Sequence, residues 1–100
     1  MCKAKAKVKG KNIVVQSIGY RGAKEAKTPA ADLRQARAFI VYKKDAKGLR
    51  VGGTVTVTIA GKRVKCKVKR WSRGSRLLLP KQEHPLRDVP AKKLRRALAK

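Results

Sequence analysis

The strongest pattern in the chain is an alternation of apolar and polar positions between residues 54 and 69. Val55, Val57 and Ile59 alternate with Thr54, Thr56 and Thr58; beyond Ala60-Gly61, Val64, Cys66 and Val68 alternate with Arg63, Lys65, Lys67 and Lys69. Successive side chains of a strand point to opposite faces, so each run is a half-buried strand. The short Gly-bearing connection joins them as a hairpin, with an apolar face for a core and a Thr/Lys/Arg face for solvent or a partner. Trp71 departs from the alternation and predicts a bulge or the strand end there.

Other β-branched runs predict further strands at Ile13–Ile18, Phe39–Tyr42 and Arg76–Leu79, the last stopped by Pro80. Thr28 is a suitable N-cap, Pro29 suits the first helical position and Asp32 favours the positive end of the helix dipole, so a short helix starts there. Lys43–Gly48 reads as a polar turn, and 81–90, between Pro80 and Ala91, as a Pro-rich extended loop. Ala91–Leu98 reads as a C-terminal helix with Leu94 and Leu98 on one face.

The opening MCKAKAKVKGK also alternates, with Lys3, Lys5, Lys7, Lys9 and Lys11 separated by Ala4, Ala6, Val8 and Gly10. A large buried apolar side chain contributes ~1.5–3 kcal/mol. Two alanines, one valine and a glycine bury too little to offset the ordering entropy. Residues 1–11 are therefore expected as a basic arm, disordered in the free protein and ordering against phosphates. The expected fold is mainly β (α+β): a small, partly open β-barrel over 12–80, with that arm, a short internal helix, and a Pro-rich linker and basic helix over 81–100.

Composition then changes the picture from fold to partner. The chain has 29 Lys and Arg against 5 Asp and Glu, a formal net charge of +24. The excess is spread over the whole length, and no acidic residue lies between Asp45 and Glu83. Internal ion pairs cannot neutralise such a chain, and a polyanion relieves its self-repulsion. Nucleic acid is the expected partner, because phosphate neutralisation releases counterions. The longest apolar runs are far short of the ~20 residues that span a bilayer, and no secretory signal is visible, so an intracellular setting and no membrane partner are expected. Cys2 and Cys66 are too few and too far apart for a disulfide framework or a zinc site, and Cys66 reads as a small buried hydrophobe.

Enzymatic chemistry is not expected. His84 is the only histidine and lies in the Pro-rich segment, the carboxylates are scattered, and neither a phosphate-binding Gly-rich loop nor a nucleophile elbow is present. No cofactor, metal or small-molecule substrate is implied. The candidate RNA-binding residues are the arm lysines Lys3, Lys5, Lys7, Lys9 and Lys11, with Tyr20 and Arg21 in a Gly-flanked loop. The strand stripe of Arg63, Lys65, Lys67 and Lys69 continues into Arg70, Trp71, Arg73 and Arg76, and the last helix adds Lys92, Lys93, Arg95 and Arg96. Trp71 has two readings, as a cover for the barrel end or as a stacking surface for a base.

In composition and layout the chain resembles a small ribosomal protein of archaeal type. It is similar, more closely, to the large-subunit "thirty-five-Ae" family in the strand leading into Gly19-Tyr20-Arg21-Gly22, in Ile40-Val41-Tyr42-Lys43, in Lys67-Val68-Lys69-Arg70 and in Val89-Pro90-Ala91-Lys92. Where that family has a His-Gly loop after the basic strand, this chain has Trp71-Ser72-Arg73-Gly74. The resemblance implies a small barrel that binds ribosomal RNA in the cytoplasm, beside neighbouring ribosomal proteins. The alternative expectation is a nucleoid-associated architectural DNA-binding protein. Charge on every segment suits a protein surrounded by RNA, whereas a duplex-coating protein needs one basic face.

Overall fold

The computed structural model describes residues 3–19, 28–82 and 84–99. Tyr20 and Arg21, as well as Cys2, lie outside the described residues. Six strands form one closed antiparallel barrel in the order β1-β2-β3-β6-β5-β4, with β4 returning to β1. They are β1 (Lys3–Val8), β2 (Lys11–Ile18), β3 (Ala38–Val41), β4 (Thr54–Ile59), β5 (Lys62–Arg70) and β6 (Arg76–Pro80); the helices are α1 (Pro29–Arg34) and α2 (Ala91–Ala97). A mainly β barrel with two short helices is the fold that the alternation predicts.

The barrel differs from expectation in two features. The barrel is closed, and the expected arm supplies the strand that closes it: β1 pairs with β2 along its length and with β4 through Ala6–Val8. Its burial alternates strictly, with Ala4, Ala6 and Val8 inside and Lys3, Lys5 and Lys7 outside. The interior of a six-stranded barrel is narrow, so one wall must be lined by small residues for the facing side chains to fit. Ala4 and Ala6 supply that wall while Ile13, Val15, Val57 and Ile59 fill the space. The turn contributes as well. Val8 pairs with Lys11 across Lys9-Gly10, whose φ angles are 50° and 80°, and Ile59 pairs with Lys62 across Ala60-Gly61, at 53° and 79°. Two consecutive positive φ values are the signature of the two-residue hairpin turn that matches strand twist.

One barrel end, here called the lower, is closed by helices. Thr28 caps α1 by accepting from the Ala31 N–H at 3.1 Å. Leu33 of α1 and Leu94 of α2 are fully buried. The end of α2 is tied to β1 by a bridge between Leu98 and Ala4 and by the Ala99 N–H donating to the Lys3 carbonyl at 2.9 Å. Within the segment expected as extended loop, residues 84–89 form turns, closed by Arg87 N–H to His84 O and Val89 N–H to Leu86 O. They tuck Leu86 and Val89 into the core. Prolines prevent regular structure there, but the two apolar side chains still gain by burial.

At the upper end lie the Lys9-Gly10 turn, the 42–53 connection and the β5–β6 loop. The Gly53 N–H donates to Arg50 O, and Gly52, at φ 90°, donates to Val68 O while Val68 donates to Gly53 O. Two residues thus face one across the ladder, with the glycine in the left-handed region, a bulge that only glycine adopts without strain.

Candidate nucleic-acid interface

Barrel closure gives every strand an outer face, and the register decides which outer residues become neighbours. On β5 the outward set is Arg63, Lys65, Lys67 and Lys69, all exposed. Outward residues of a strand are about 6.8 Å apart, so the stripe runs ~20 Å. Arg63, Lys65 and Lys67 lie opposite Thr58, Thr56 and Thr54 of β4. Threonines between the cationic rows avoid directly opposed like charges, which destabilise a sheet. They also place hydroxyls, able to donate and accept, beside the ammonium groups.

The stripe does not end at β4. Thr58 pairs with Lys7 of β1 and Lys7 with Asn12 of β2, which makes one transverse row of Arg63, Thr58, Lys7 and Asn12 across four strands. Lys5 and Lys7 border a shallow hollow with Asn12 and Thr58. Lys5 also meets Lys93 and Arg96 of α2 in a second hollow beside the Ala60-Gly61 turn. Arg63 and Lys65 share a third with Lys62, Lys81 and Asp88, whose carboxylate is 3.8 Å from the Lys62 ammonium. The cations expected on an arm, a hairpin and a helix thus come together on one wall made by β1, β4 and β5 and its lower edge. The opposite wall is different in kind: outward positions of β2, β3 and β6 include Val14, Ile18, Ile40, Leu77 and Leu79, with Ile40 buried and the rest half-buried.

The remaining candidate residues take other places. Lys92 and Arg95 are exposed on α2 at the lower end. Lys11 is exposed at the start of β2, and the Lys9 ammonium is tied to the Gly48 carbonyl at 3.3 Å at the upper end. Arg70, Trp71 and Arg73 are exposed there too. Lys3 lies with its ammonium 5.9 Å from the Tyr42 ring centroid, a cation–π contact. Arg76 is turned to structural work. Its Nε donates to Leu49 O at 3.2 Å and its Nη1 to Gly74 O and Ser75 O at 3.3 and 3.1 Å, clamping the upper loops together. Cys66 is fully buried in the barrel, where loss of hydration pushes its thiol up to about 12.

Lys62, Lys81 and Asn12 join the basic wall although sequence reasoning does not single them out. The register pairs Lys62 with the buried Ile59, on the inward parity of β5, so alternation alone does not place it on the wall; it joins at the strand end, in the hollow with Lys81 and Asp88. Lys81 and Asn12 come into place only once β6 and β1 are in the barrel. No helix among the described residues is long and apolar enough to cross a membrane. Comparison of the chain with protein-family models, with curated proteins and with solved structures finds no match to any of them.

Proposed function

We propose that this protein is a structural constituent of the ribosome, with the large subunit favoured, that binds ribosomal RNA through phosphate contacts in the cytoplasm. The observation that carries the reading is the spread of exposed cations over the wall of β1, β4 and β5 and over both barrel ends. Arg63, Lys65, Lys67 and Lys69 project in phase from one rigid strand, interleaved with threonines, and are extended by Lys7 and by α2. A sheet face holds its cations at fixed spacing, so little further ordering is needed when phosphates are engaged. Cations also occupy both barrel ends, at Arg50, Arg70 and Arg73 above and at Lys92, Arg95 and Arg96 below. That distribution favours an RNA environment on several sides over a duplex lying against one face. The outer positions of β2, β3 and β6 are apolar and largely covered, so the phosphate contacts of this reading belong to β1, β4, β5 and the barrel ends. No catalytic step belongs to this reading.

Cosedimentation is the test. The native protein is expected to remain with a ribosomal subunit through a high-salt wash that strips loosely bound factors. Recovery only with chromatin would overturn the proposal in favour of an architectural DNA-binding protein.

A further inference from the structure

Trp71 lies in phase with the basic stripe. The outward residues of β5 are odd-numbered from Arg63 to Lys69, and Trp71 follows with extended backbone (φ −124°, ψ −175°), which keeps the alternation going beyond the strand end. It is 41% exposed, and the other large hydrophobic exposed among the described residues is Val51, at 52%. Both lie at the upper end: Val51 leads into the glycine bulge that pairs with Val68, three residues before Trp71. The backbone under the indole is fixed, since the Trp71 N–H donates to Ser75 O at 3.2 Å and Ser75 N–H returns to Ser72 O at 3.1 Å. Arg70 and Arg73 flank it in the chain and Arg50 lies at the same barrel end, all three exposed. Leaving about two-fifths of the residue in water forfeits part of the burial gain of an indole, and here the exposed part stands at the head of a row of cations.

We infer that Trp71 is a stacking platform for an unpaired nucleobase, so that the RNA engaged by the β5 stripe is single-stranded where it passes the upper end of the barrel. The inference rests on the proposed RNA-binding function and narrows its substrate. Cations that track a backbone combined with an aromatic face at the end of the track form the device by which single strands are held, because every base has a π-face. In a duplex the bases are stacked on each other and only the terminal pairs expose a face, so duplex RNA with hairpin-capped ends engages the stripe and leaves Trp71 untouched.

Trp71 is the only tryptophan, so its fluorescence reports on the site directly. The protein is titrated with a short mixed-sequence single-stranded RNA and with the hairpin-capped duplex of the same strand, and binding is followed independently by anisotropy of a labelled strand. The single strand is expected to quench Trp71 at saturation and the duplex to bind without quenching. Trp71→Ala, checked for folding by circular dichroism, is expected to weaken single-strand binding roughly 5- to 150-fold while duplex affinity is unchanged. Trp71→Phe is expected to recover most of the loss. Unquenched fluorescence on a saturated single strand, with unaltered affinity of Trp71→Ala, overturns the stacking role while leaving the RNA-binding function standing. Absence of any binding by anisotropy overturns both. If Trp71→Ala does not fold, the quenching comparison on the unaltered protein decides alone.

Discussion

Removing β1 separates a strand that closes the barrel from an arm that merely follows it. In a variant that starts at Lys9 behind an initiator methionine, the side chains of Ala4, Ala6 and Val8 are lost from positions 0%, 5% and 5% exposed. Val8 contributes ~1.5–3 kcal/mol and each alanine methyl ~0.8 kcal/mol, so the lost side chains alone account for about 3–5 kcal/mol. The loss also strips β2 and β4 of their partners, uncovering Ile13, Val15, Val57 and Ile59. A domain of this size has a total stability of about 5–15 kcal/mol. The truncated chain is therefore expected to lose its cooperative thermal transition or to melt tens of degrees lower, at ~4–8 °C per kcal/mol. The matched control is Lys5→Gln, Lys7→Gln, which keeps the inward residues and the Lys3–Tyr42 contact and should melt no lower than the parent chain, since it relieves repulsion between cations. Circular dichroism melts of the three proteins decide the matter. A truncated protein with the parent's melting temperature and β signal would falsify the assignment of β1 to the barrel core.

Further consequences concern the stripe, the turns and the buried thiol. Lys65→Gln, Lys67→Gln, Lys69→Gln together should lower the salt slope of RNA binding by about 2–3, at roughly 0.7–0.9 for each phosphate no longer neutralised, and an unchanged slope means that the wall carries no phosphate. Ala60→Asn places a residue tolerant of positive φ where alanine sits at 53°, and should raise stability by roughly 0.5–1 kcal/mol in urea unfolding. Gly61→Ala, at φ 79°, should lower it by about 1 kcal/mol or more, and equal stability of the two variants contradicts the turn assignment. Burial raises the Cys66 thiol from 9.0 to about 12, so above pH 9 the unfolded chain loses this proton while the folded chain keeps it. Stability relative to Cys66→Val is then full below pH 9 and falls as the pH climbs towards 12. In Cys2→Ser protein, Cys66 should react with a thiol reagent only as fast as the barrel opens.

The β4–β5 hairpin was legible because both of its strands carry β-branched residues and a Gly-bearing turn joins them. The β1–β2 hairpin has the same turn chemistry in Lys9-Gly10, but Ala4 and Ala6 look too small to hold a strand when burial is judged one residue at a time. Only barrel closure, a non-local fact, turns small side chains into an asset. The prolines around 81–90 conceal the inward roles of Leu86 and Val89 for a similar reason: what buries them comes from elsewhere in the chain. In the interface, the stripe and its threonines followed directly from alternation. The convergence of Lys5 with Lys93 and Arg96, and the diversion of Arg76 to carbonyls of the upper loops, depend on contacts between distant segments. No local pattern encodes either. Trp71 lay between: its parity with Lys67 and Lys69 is written in the chain, but its exposure at the barrel end shows only in the folded structure.

Lysine acetylation footprinting reads out whether the proposed wall of β1, β4 and β5 faces ribosomal RNA. Intact ribosomal subunits carrying the protein are compared with the free protein, residue by residue, by mass spectrometry. Lys7, Lys65, Lys67 and Lys69 are expected to react freely in the isolated protein and to be protected in the subunit. Equal reactivity of these four lysines in both states, in subunits that demonstrably contain the protein, would contradict an RNA-facing wall.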